Sequence, residues 1–301
     1  TRFCQVTGVQ TCALPIYRIV EIRARAPERI ARALADRPRG SLPEGDGKLM
    51  IIACDHPARG ALAAGGRAMA MASREDVLSR CVTALGRPGV NGFLGTADLI
   101  EDLALLGALD GKLVYGSMNR GGLAGAAFEM DDRFTGYDAR GIVDAGLDGG
   151  KMLLRIDYED PRTVDTLAAC AAAVDDLAER GVMAMVEPFI SRRRDGRVVN
   201  DLGADAVIAS MAIASGLGRT SAYTWLKLPA VADMERVMEA STLPALILGG
   251  AVSEDADAAR ASWARALALP TVKGLVIGRS LLFPPDDDVA GAVDNTVGLL
   301  S

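Results

Sequence analysis

Residues 223–229 read Tyr-Thr-Trp-Leu-Lys-Leu-Pro, a short apolar run that carries one lysine, Lys227, near its end. The run predicts a buried β-strand. Burying a lysine as a cation is costly, so Lys227 needs a partner or must give up its proton. A neutral amine is the form that attacks a carbonyl carbon to make a Schiff base. The alternative is a lysine whose stem packs on the strand while its ammonium group reaches water.

The same pattern recurs from Lys48 onward: an apolar run, a polar or glycine-bearing loop, and a longer stretch with helical spacing. The eight runs are Leu49–Cys54, Val90–Leu94, Lys112–Gly116, Lys151–Ile156, Val182–Glu187, Tyr223–Leu228, Ala245–Leu248 and Gly274–Ile277. They lack the strict alternation of half-exposed strands, as expected when both faces of a sheet are covered. The pattern predicts an α/β fold, a single-domain (β/α)8 TIM barrel. A doubly wound open sheet is the alternative, but no Gly-x-Gly-x-x-Gly follows the first run.

The domain boundaries follow from this count. Residues 48–301 are predicted to form the barrel, and residues 18–47 a short N-terminal helical extension with a helix from about Pro27 to Asp36. Residues 1–17 differ from the rest in composition. Their VTGVQTCALPI stretch looks like translated sequencing-adapter read-through, which predicts an extraneous or disordered segment. A genuine N-terminal extension is the alternative. The longest loops are expected at residues 117–135 and 189–203.

Composition excludes several classes of protein. The chain has 301 residues and a formal net charge of -6, so it lacks the cationic field that holds nucleic-acid phosphates. We find no apolar run near the roughly 20 residues that span a bilayer and no secretory leader. These features predict a cytoplasmic protein with no nucleic-acid or membrane partner. Because His56 is the single histidine, one subunit cannot build a metal site from two or three imidazoles. We therefore predict no metal and no cofactor.

Reactive side chains of a barrel lie where its strands end. The candidates at these ends are Asp55, His56, Asn119, Arg120, Glu187 and Lys227. Lys151 starts the fourth run and would point into the barrel if it shares a face with Leu153 and Arg155. His56 either orients Asp55 or is a hydrogen-bonded loop residue. The Arg192-Arg193-Arg194 run is expected in a solvated loop, with contact to an anionic substrate as the alternative.

Two glycine-bearing turns end the last two runs, Gly249-Gly250 and Gly278-Arg279. In this fold the loops after strands seven and eight commonly bind phosphate, because glycine lets backbone N–H groups approach an anion. Arg279 would add a charge-assisted contact. Each turn alone would be read as a tight turn. Together they predict a phosphate site.

Several of these motifs resemble barrel-type class I aldolases: archaeal-type fructose-bisphosphate aldolase, tagatose-bisphosphate aldolase and deoxyribose-phosphate aldolase. WLKLP resembles their Schiff-base strand, ALILGG and GLVIGR their phosphate elements, and IIACDHPARG their first-strand motif. GGKMLLRIDYEDP and MAMVEPF resemble strands four and five of tagatose-bisphosphate aldolase. The overall pattern most resembles an uncharacterised aldolase-like barrel family found near inositol-catabolic genes. Deoxyribose-phosphate aldolase has a second lysine on strand seven, which Ala245–Leu248 lacks.

The resemblance implies a carbon–carbon lyase that acts on a phosphorylated ketose or keto-sugar acid and releases a triose phosphate. Lys227 would form the iminium, Glu187 would exchange the proton of the departing hydroxyl, and Asp55 would bind substrate hydroxyls. Lys151 would disfavour the cationic form of Lys227 by repulsion. The family's genomic setting suggests 2-deoxy-5-keto-gluconate 6-phosphate as substrate, and such aldolases are commonly homo-oligomers. An acyl transferase that uses the same lysine and a non-catalytic sugar-phosphate-binding barrel are the alternatives.

Overall fold

The computed structural model describes residues 16–300 except 251, 253 and 254, so the predicted extraneous segment 1–17 lies outside it apart from its last two residues. The strands are β1 Leu49–Cys54, β2 Gly92–Gly95, β3 Leu113–Ser117, β4 Gly149–Ile156, β5 Met183–Arg194, β6 Arg197–Asn200, β7 Thr224–Pro229, β8 Ala245–Leu248 and β9 Val272–Ile277. The helices are α1 Ile16–Arg25, α2 Glu28–Asp36, α3 Arg74–Leu85, α4 Ala97–Leu105, α5 Ala139–Asp144, α6 Thr163–Glu179, α7 Ala204–Ser215, α8 Met234–Glu239, α9 Ala256–Leu267, α10 Arg279–Leu282 and α11 Val289–Val297.

Eight of these strands form a closed parallel barrel. Neighbours pair in the order β4-β3-β2-β1-β9-β8-β7-β5, and pairing of β4 with β5 closes the ring. The crossover segments carry helices around the outside, as a right-handed βαβ repeat requires. The predicted (β/α)8 TIM barrel is therefore confirmed. Predicted strands six, seven and eight correspond to β7, β8 and β9.

The ninth strand, β6, was not predicted. The segment after Glu187 was expected to be a loop from residue 189, but β5 continues to Arg194 and pairs antiparallel with β6. The turn between them contains Asp195 and Gly196, which both have positive φ, 52° and 74°. An Asp-Gly pair with this backbone makes the turn that best fits the twist of a hairpin. The arginine run is thus part of an exposed hairpin rather than a loop.

Side chains pack in two layers, one inside the barrel and one between the barrel and its helices. The inner cluster comprises Leu49, Ile51, Ala53, Leu94, Leu113, Tyr115, Met183, Met185, Leu246 and Val276. The outer layer is larger and includes Ile19 of α1 and Leu34 of α2, so the two N-terminal helices pack onto the barrel. The inner cluster fills the lower part of the barrel and leaves its upper end to polar side chains.

Candidate active site

Strand alternation explains why polar side chains meet at the upper end of the barrel. Successive side chains of a strand face opposite sides, so the inner face of β5 presents Met183, then Met185, then Glu187. On β1, β3 and β7 the same rule brings Asp55, Ser117 and Lys227 to the inner face near the strand ends. Lys151 lies level with Ser117 of β3 and Met185 of β5 in the sheet register. The last inner layer is therefore polar, as the sequence predicted.

Lys227, Glu187 and Lys151 are in direct contact. The Lys227 Nζ donates to Glu187 Oε1 at 2.7 Å, and Lys151 Nζ lies 2.5 Å from Glu187 Oε2. All three side chains are buried, with Lys151 only 2% exposed and Lys227 6%. One carboxylate thus bridges two buried ammonium groups. This contact is the compensation that the position of Lys227 required.

Asp55 holds the other side of Lys151. Its Oδ2 accepts hydrogen bonds from Lys151 Nζ at 3.3 Å and from the Ser117 hydroxyl at 3.1 Å. The guanidinium Nη1 of Arg120 lies 3.1 Å from the same oxygen. Asp55 is therefore a fixed anion between a lysine and an arginine. The two carboxylates and three cations form one continuous network across the barrel.

The network shifts the pKa values of its members in opposite directions. Burial and the nearby Arg120 lower the pKa of Lys151 to about 8, against the attraction of Asp55 and Glu187. Burial would raise the pKa of Glu187, but Lys151 and Lys227 outweigh it and hold that pKa well below its ordinary value. Burial would likewise raise the pKa of Asp55, but Arg120 and Lys151 outweigh it and hold that pKa well below its ordinary value. Both carboxylates are ionised at neutral pH, while Lys151 is close to its titration point.

The two glycine turns lie side by side after β8 and β9. Gly250 has a φ of 69°, a conformation that favours glycine. A Cβ on Gly278 would lie 2.4 Å from the Ala53 carbonyl oxygen, so only glycine fits there. Arg279 donates to the Ala63 carbonyl at 3.3 Å, while its buried Nε has no hydrogen-bond partner among the described residues. The structure therefore places the predicted phosphate elements together at the mouth of the barrel.

The side chains of His56 and Asn119 do not join the network through hydrogen bonds. His56 Nδ1 lies 3.7 Å from Asp55 Oδ1, and it has no hydrogen-bond partner within the described part of the chain. Burial lowers the pKa of His56, and Arg279 adds to this effect against the attraction of Asp55, so the imidazole is neutral. Asn119 exchanges two hydrogen bonds with the backbone of Leu153, at 2.6 and 2.7 Å, and so ties the end of β3 to β4.

A second buried ion pair, which the sequence did not indicate, fixes the long loop after β3. Arg155 donates to both carboxylate oxygens of Asp132 at 2.7 Å and also contacts Glu129. Arg59 donates to the Gly122 carbonyl at 2.8 Å from the loop after β1. These contacts hold residues 118–135 beside the mouth of the barrel. The inward position of Arg155 on β4 was the only signal for it in the sequence.

Over the residues described, no group of three or more His, Cys, Asp or Glu side chains is arranged to hold a metal ion. No helix in the described ranges is both long and apolar enough to cross a membrane.

Known proteins resemble this chain at two levels. The crystal structure of Cgl0159 from Corynebacterium glutamicum is 53% identical, with a TM-score of 0.92 over 95% of this chain and 96% of that one. An archaeal fructose 1,6-bisphosphate aldolase is 16% identical, with a TM-score of 0.63 over 90% and 98% of the two chains. A second archaeal structure is a fructose-1,6-bisphosphate aldolase with its catalytic lysine covalently bound to a carbinolamine intermediate. It is 15% identical, with a TM-score of 0.61 over 90% of this chain and 99% of that one. None of the curated proteins matches.

The two archaeal structures share the barrel fold with this chain at low identity. The Corynebacterium protein is similar along nearly its whole length. The family model described as Cgl0159-like matches residues 47–297, which contain all eight strands of the barrel. The association with inositol catabolism stays a prediction. The chain belongs to the Cgl0159-like family.

Proposed function

We propose that this protein is a class I aldolase that cleaves a phosphorylated ketose or keto-sugar acid through a Schiff base on Lys227. The observation that carries the proposal is the contact of Lys227 with Glu187, and of Glu187 with Lys151, at the end of the barrel where such enzymes work. A buried lysine next to a proton acceptor is the arrangement that covalent catalysis by an amine needs.

Schiff-base formation begins when Lys227 transfers a proton to Glu187, 2.7 Å away. The free amine attacks the ketone carbon of the substrate and gives a carbinolamine. Loss of the hydroxyl group as water, with a proton from Glu187, leaves a cationic iminium on Lys227. Glu187 is then a carboxylate again. The iminium restores the positive charge that Glu187 balanced before the reaction.

Cleavage follows from that iminium. Glu187 takes the proton from the substrate hydroxyl, directly or through one water, and that oxygen becomes the carbonyl oxygen of the departing aldehyde. The electron pair of the breaking carbon–carbon bond moves to the iminium nitrogen and gives an enamine. Glu187 gives this proton to the enamine carbon, and addition of water to the resulting iminium releases the second product and regenerates the protonated Lys227. Lys151 favours the carboxylate form of Glu187 between these proton transfers, which is its assisting role.

The phosphate group would bind between the turns after β8 and β9. Arg279 brings a charge and a buried Nε that lacks a partner among the described residues, and Ser280 adds a buried hydroxyl in the same condition. A Cβ on Gly249 would lie 3.2 Å from that hydroxyl, so the two turns are in contact. Charge-assisted hydrogen bonds from these groups suit a phosphate.

Relatives support the proposal at the level of fold. One archaeal fructose-1,6-bisphosphate aldolase of the same barrel type has its catalytic lysine bound to a carbinolamine intermediate. For this chain we propose the same class of covalent intermediate, with release of a triose phosphate. The first substrate to test is 2-deoxy-5-keto-gluconate 6-phosphate, because the sequence resembles a family found near inositol-catabolic genes.

Borohydride trapping tests the proposal. Sodium borohydride added with a phosphorylated ketose or keto-sugar acid should reduce the iminium to a stable amine, and peptide mapping should place the added mass on Lys227. The chain has only five lysines, and the other three, Lys48, Lys112 and Lys273, lie at the opposite ends of their strands. Lys227→Met should lose the adduct and cleavage, whereas the control Lys273→Met should keep both.

Three outcomes would contradict the proposal. Measurable binding of a sugar phosphate without any adduct or triose-phosphate release would favour a non-catalytic binding barrel. Loss of cleavage on addition of EDTA, with recovery on adding zinc or manganese, would show a metal-dependent aldolase instead. An adduct with an acyl acceptor but no carbon–carbon cleavage would favour the acyl transferase.

A further inference from the structure

The Arg120 guanidinium is only partly used by the protein. Its Nε donates to the Asn119 carbonyl at 2.9 Å, and its Nη1 lies 3.1 Å from Asp55. The side chain is 6% exposed, and its buried Nη2 has no hydrogen-bond partner in the part of the chain that the structure describes. An arginine cannot shed its charge, and buried N–H groups without an acceptor are costly. Nη2 is therefore an open donor beside the catalytic network.

The charges around Arg120 are unbalanced. The network contains three cations, Lys227, Lys151 and Arg120, and two carboxylates, Glu187 and Asp55. One positive charge remains, whether Lys227 is an ammonium or an iminium.

The nearby carboxylates do not balance this charge, because they already pair with other arginines. Arg155 pairs with Asp132 and Glu129, and Arg59 lies 3.6 Å from Glu129 as well. The surplus therefore stays with the network that contains Arg120. Because a buried surplus charge is unfavourable, one bound monoanion would balance it.

Topology separates this donor from the phosphate elements. Around the closed ring, β3 and β8 are four strands apart in both directions, so they lie on opposite sides of the barrel. Arg120 follows β3 by three residues, and Gly249-Gly250 follow β8 directly. Lys227, on β7, is next to the phosphate side. A substrate held by its phosphate near Gly249 would extend across the mouth toward Arg120.

We propose that Arg120 binds a carboxylate on the part of the substrate that leaves as the aldehyde. The substrate would then be a phosphorylated keto-sugar acid rather than a ketose bisphosphate. A carboxylate fits better than a second phosphate, because one open nitrogen and one surplus charge match a monoanion. This inference rests on the proposed Schiff-base function and narrows its substrate class.

The aldol direction tests it with defined probes. Wild-type protein receives dihydroxyacetone phosphate with two- to four-carbon aldehydes that end in a carboxylate, and in parallel with the corresponding carboxamides. Consumption of dihydroxyacetone phosphate gives kcat/KM for each pair. We expect the best acid to exceed its amide by about 10- to 100-fold, the usual size of a charged hydrogen bond. Glyceraldehyde 3-phosphate is the arm that tests for a second phosphate instead.

Variants of Arg120 test whether this residue causes the preference for the acid over the amide. Arg120→Gln should reduce the acid-to-amide ratio to near one, chiefly through KM for the acid, and Arg120→Lys should restore part of it. Arg192→Gln is the matched control, because it removes one exposed arginine from the β5–β6 hairpin and should keep the full ratio. Borohydride trapping of dihydroxyacetone phosphate on Lys227 shows independently that the Schiff base still forms.

The outcomes separate the two proposals. If the adduct forms but wild-type protein treats acid and amide alike, or prefers glyceraldehyde 3-phosphate, the carboxylate assignment is wrong and the aldolase stands. If wild-type protein forms no adduct and consumes no dihydroxyacetone phosphate, both proposals fail. If Arg120→Gln does not fold, the comparison of Arg120→Lys with wild-type protein decides. An acid-to-amide ratio and a KM for the acid that are both unchanged in Arg120→Lys would count against Arg120.

Discussion

Replacing Glu187 by Gln tests the central network, because the change preserves shape and removes the charge shared by two buried lysines. Both lysines are nearly inaccessible, so water cannot take over the role of the carboxylate. Lys151 has an alternative: its pKa is about 8, so it can lose its proton at modest cost. The expected result is a folded but less stable protein whose Lys151 is neutral at pH 7.

The loss of stability in Glu187→Gln follows from a thermodynamic cycle that passes through the protein with neutral Lys151. Neutralising a lysine with a pKa of about 8 costs about 1 kcal/mol at pH 7. Once Lys151 is neutral, the substitution removes only the charged hydrogen bond from Lys227, which contributes about 1.5–3 kcal/mol. Together they predict that Glu187→Gln lowers the free energy of unfolding by about 3–4 kcal/mol at pH 7.

The cycle also gives the sign of the pH dependence. In wild-type protein Lys151 loses its proton as pH rises through about 8, so its attraction to Glu187 disappears there. In Glu187→Gln that attraction is absent at every pH. The stability difference between the two proteins should therefore shrink, by about 1 kcal/mol from pH 7 to pH 8.

Urea unfolding of both proteins at pH 6, 7, 8 and 9 measures this difference. Glu239→Gln on α8 is the matched control, since its side chain is exposed and its substitution should change stability by less than about 0.5 kcal/mol. A stability loss under 1 kcal/mol would show that Glu187 does not hold the two lysines. A loss that stays constant from pH 6 to pH 9 would show that Lys151 keeps its proton, which would refute the cycle.

Three further predictions concern the site and its loop. Arg279→Ala should raise KM for a phosphorylated substrate by about 10- to 100-fold and affect its unphosphorylated counterpart much less; equal losses in steady-state kinetics would mark Arg279 as structural. Lys151→Met should slow cleavage but still allow borohydride trapping on Lys227, and an absent adduct would make Lys151 essential for the covalent step. Arg155→Met should leave Asp132 buried without a partner, destabilise the protein by about 3–5 kcal/mol and expose residues 118–135 to limited proteolysis; an unchanged cleavage pattern would contradict the role of this pair.

Much of the barrel could be predicted because each strand is a local feature. Leu49–Cys54 and Ala245–Leu248 begin and end where the apolar runs do. A strand buried on both faces needs a continuous apolar run, so the sequence marks it directly. The β5–β6 hairpin was missed for the opposite reason. The hairpin part of β5, residues 192–194, is polar and exposed, β6 is only partly buried, and only Asp195-Gly196 marked the turn.

The location of the candidate residues in the barrel could be predicted, but their contacts with one another could not. Strand ends and alternation placed Asp55, Lys151, Glu187 and Lys227 at one end of the barrel. Which carboxylate would contact which lysine depends on the stagger between strands, and the sequence does not state that stagger. The Arg120 Nη2 group, which lacks a hydrogen-bond partner among the described residues, could not be predicted for the same reason. It depends on where Asn119 and Asp55 lie in space, so no motif could have shown it.

The network also bears on which lysine would form the proposed Schiff base. Lys151 lies between two carboxylates, 2.5 Å from Glu187 and 3.3 Å from Asp55, and it is 2% exposed. Lys227 has Glu187 as its one ion-pair partner among the described residues and is the more exposed of the two. An attacking amine must leave its ion pairs and reach the substrate. Lys227 has to break one contact and Lys151 two, so the geometry favours Lys227 as the nucleophile of the proposed reaction, with Lys151 as the fixed charge that stabilises the carboxylate form of Glu187.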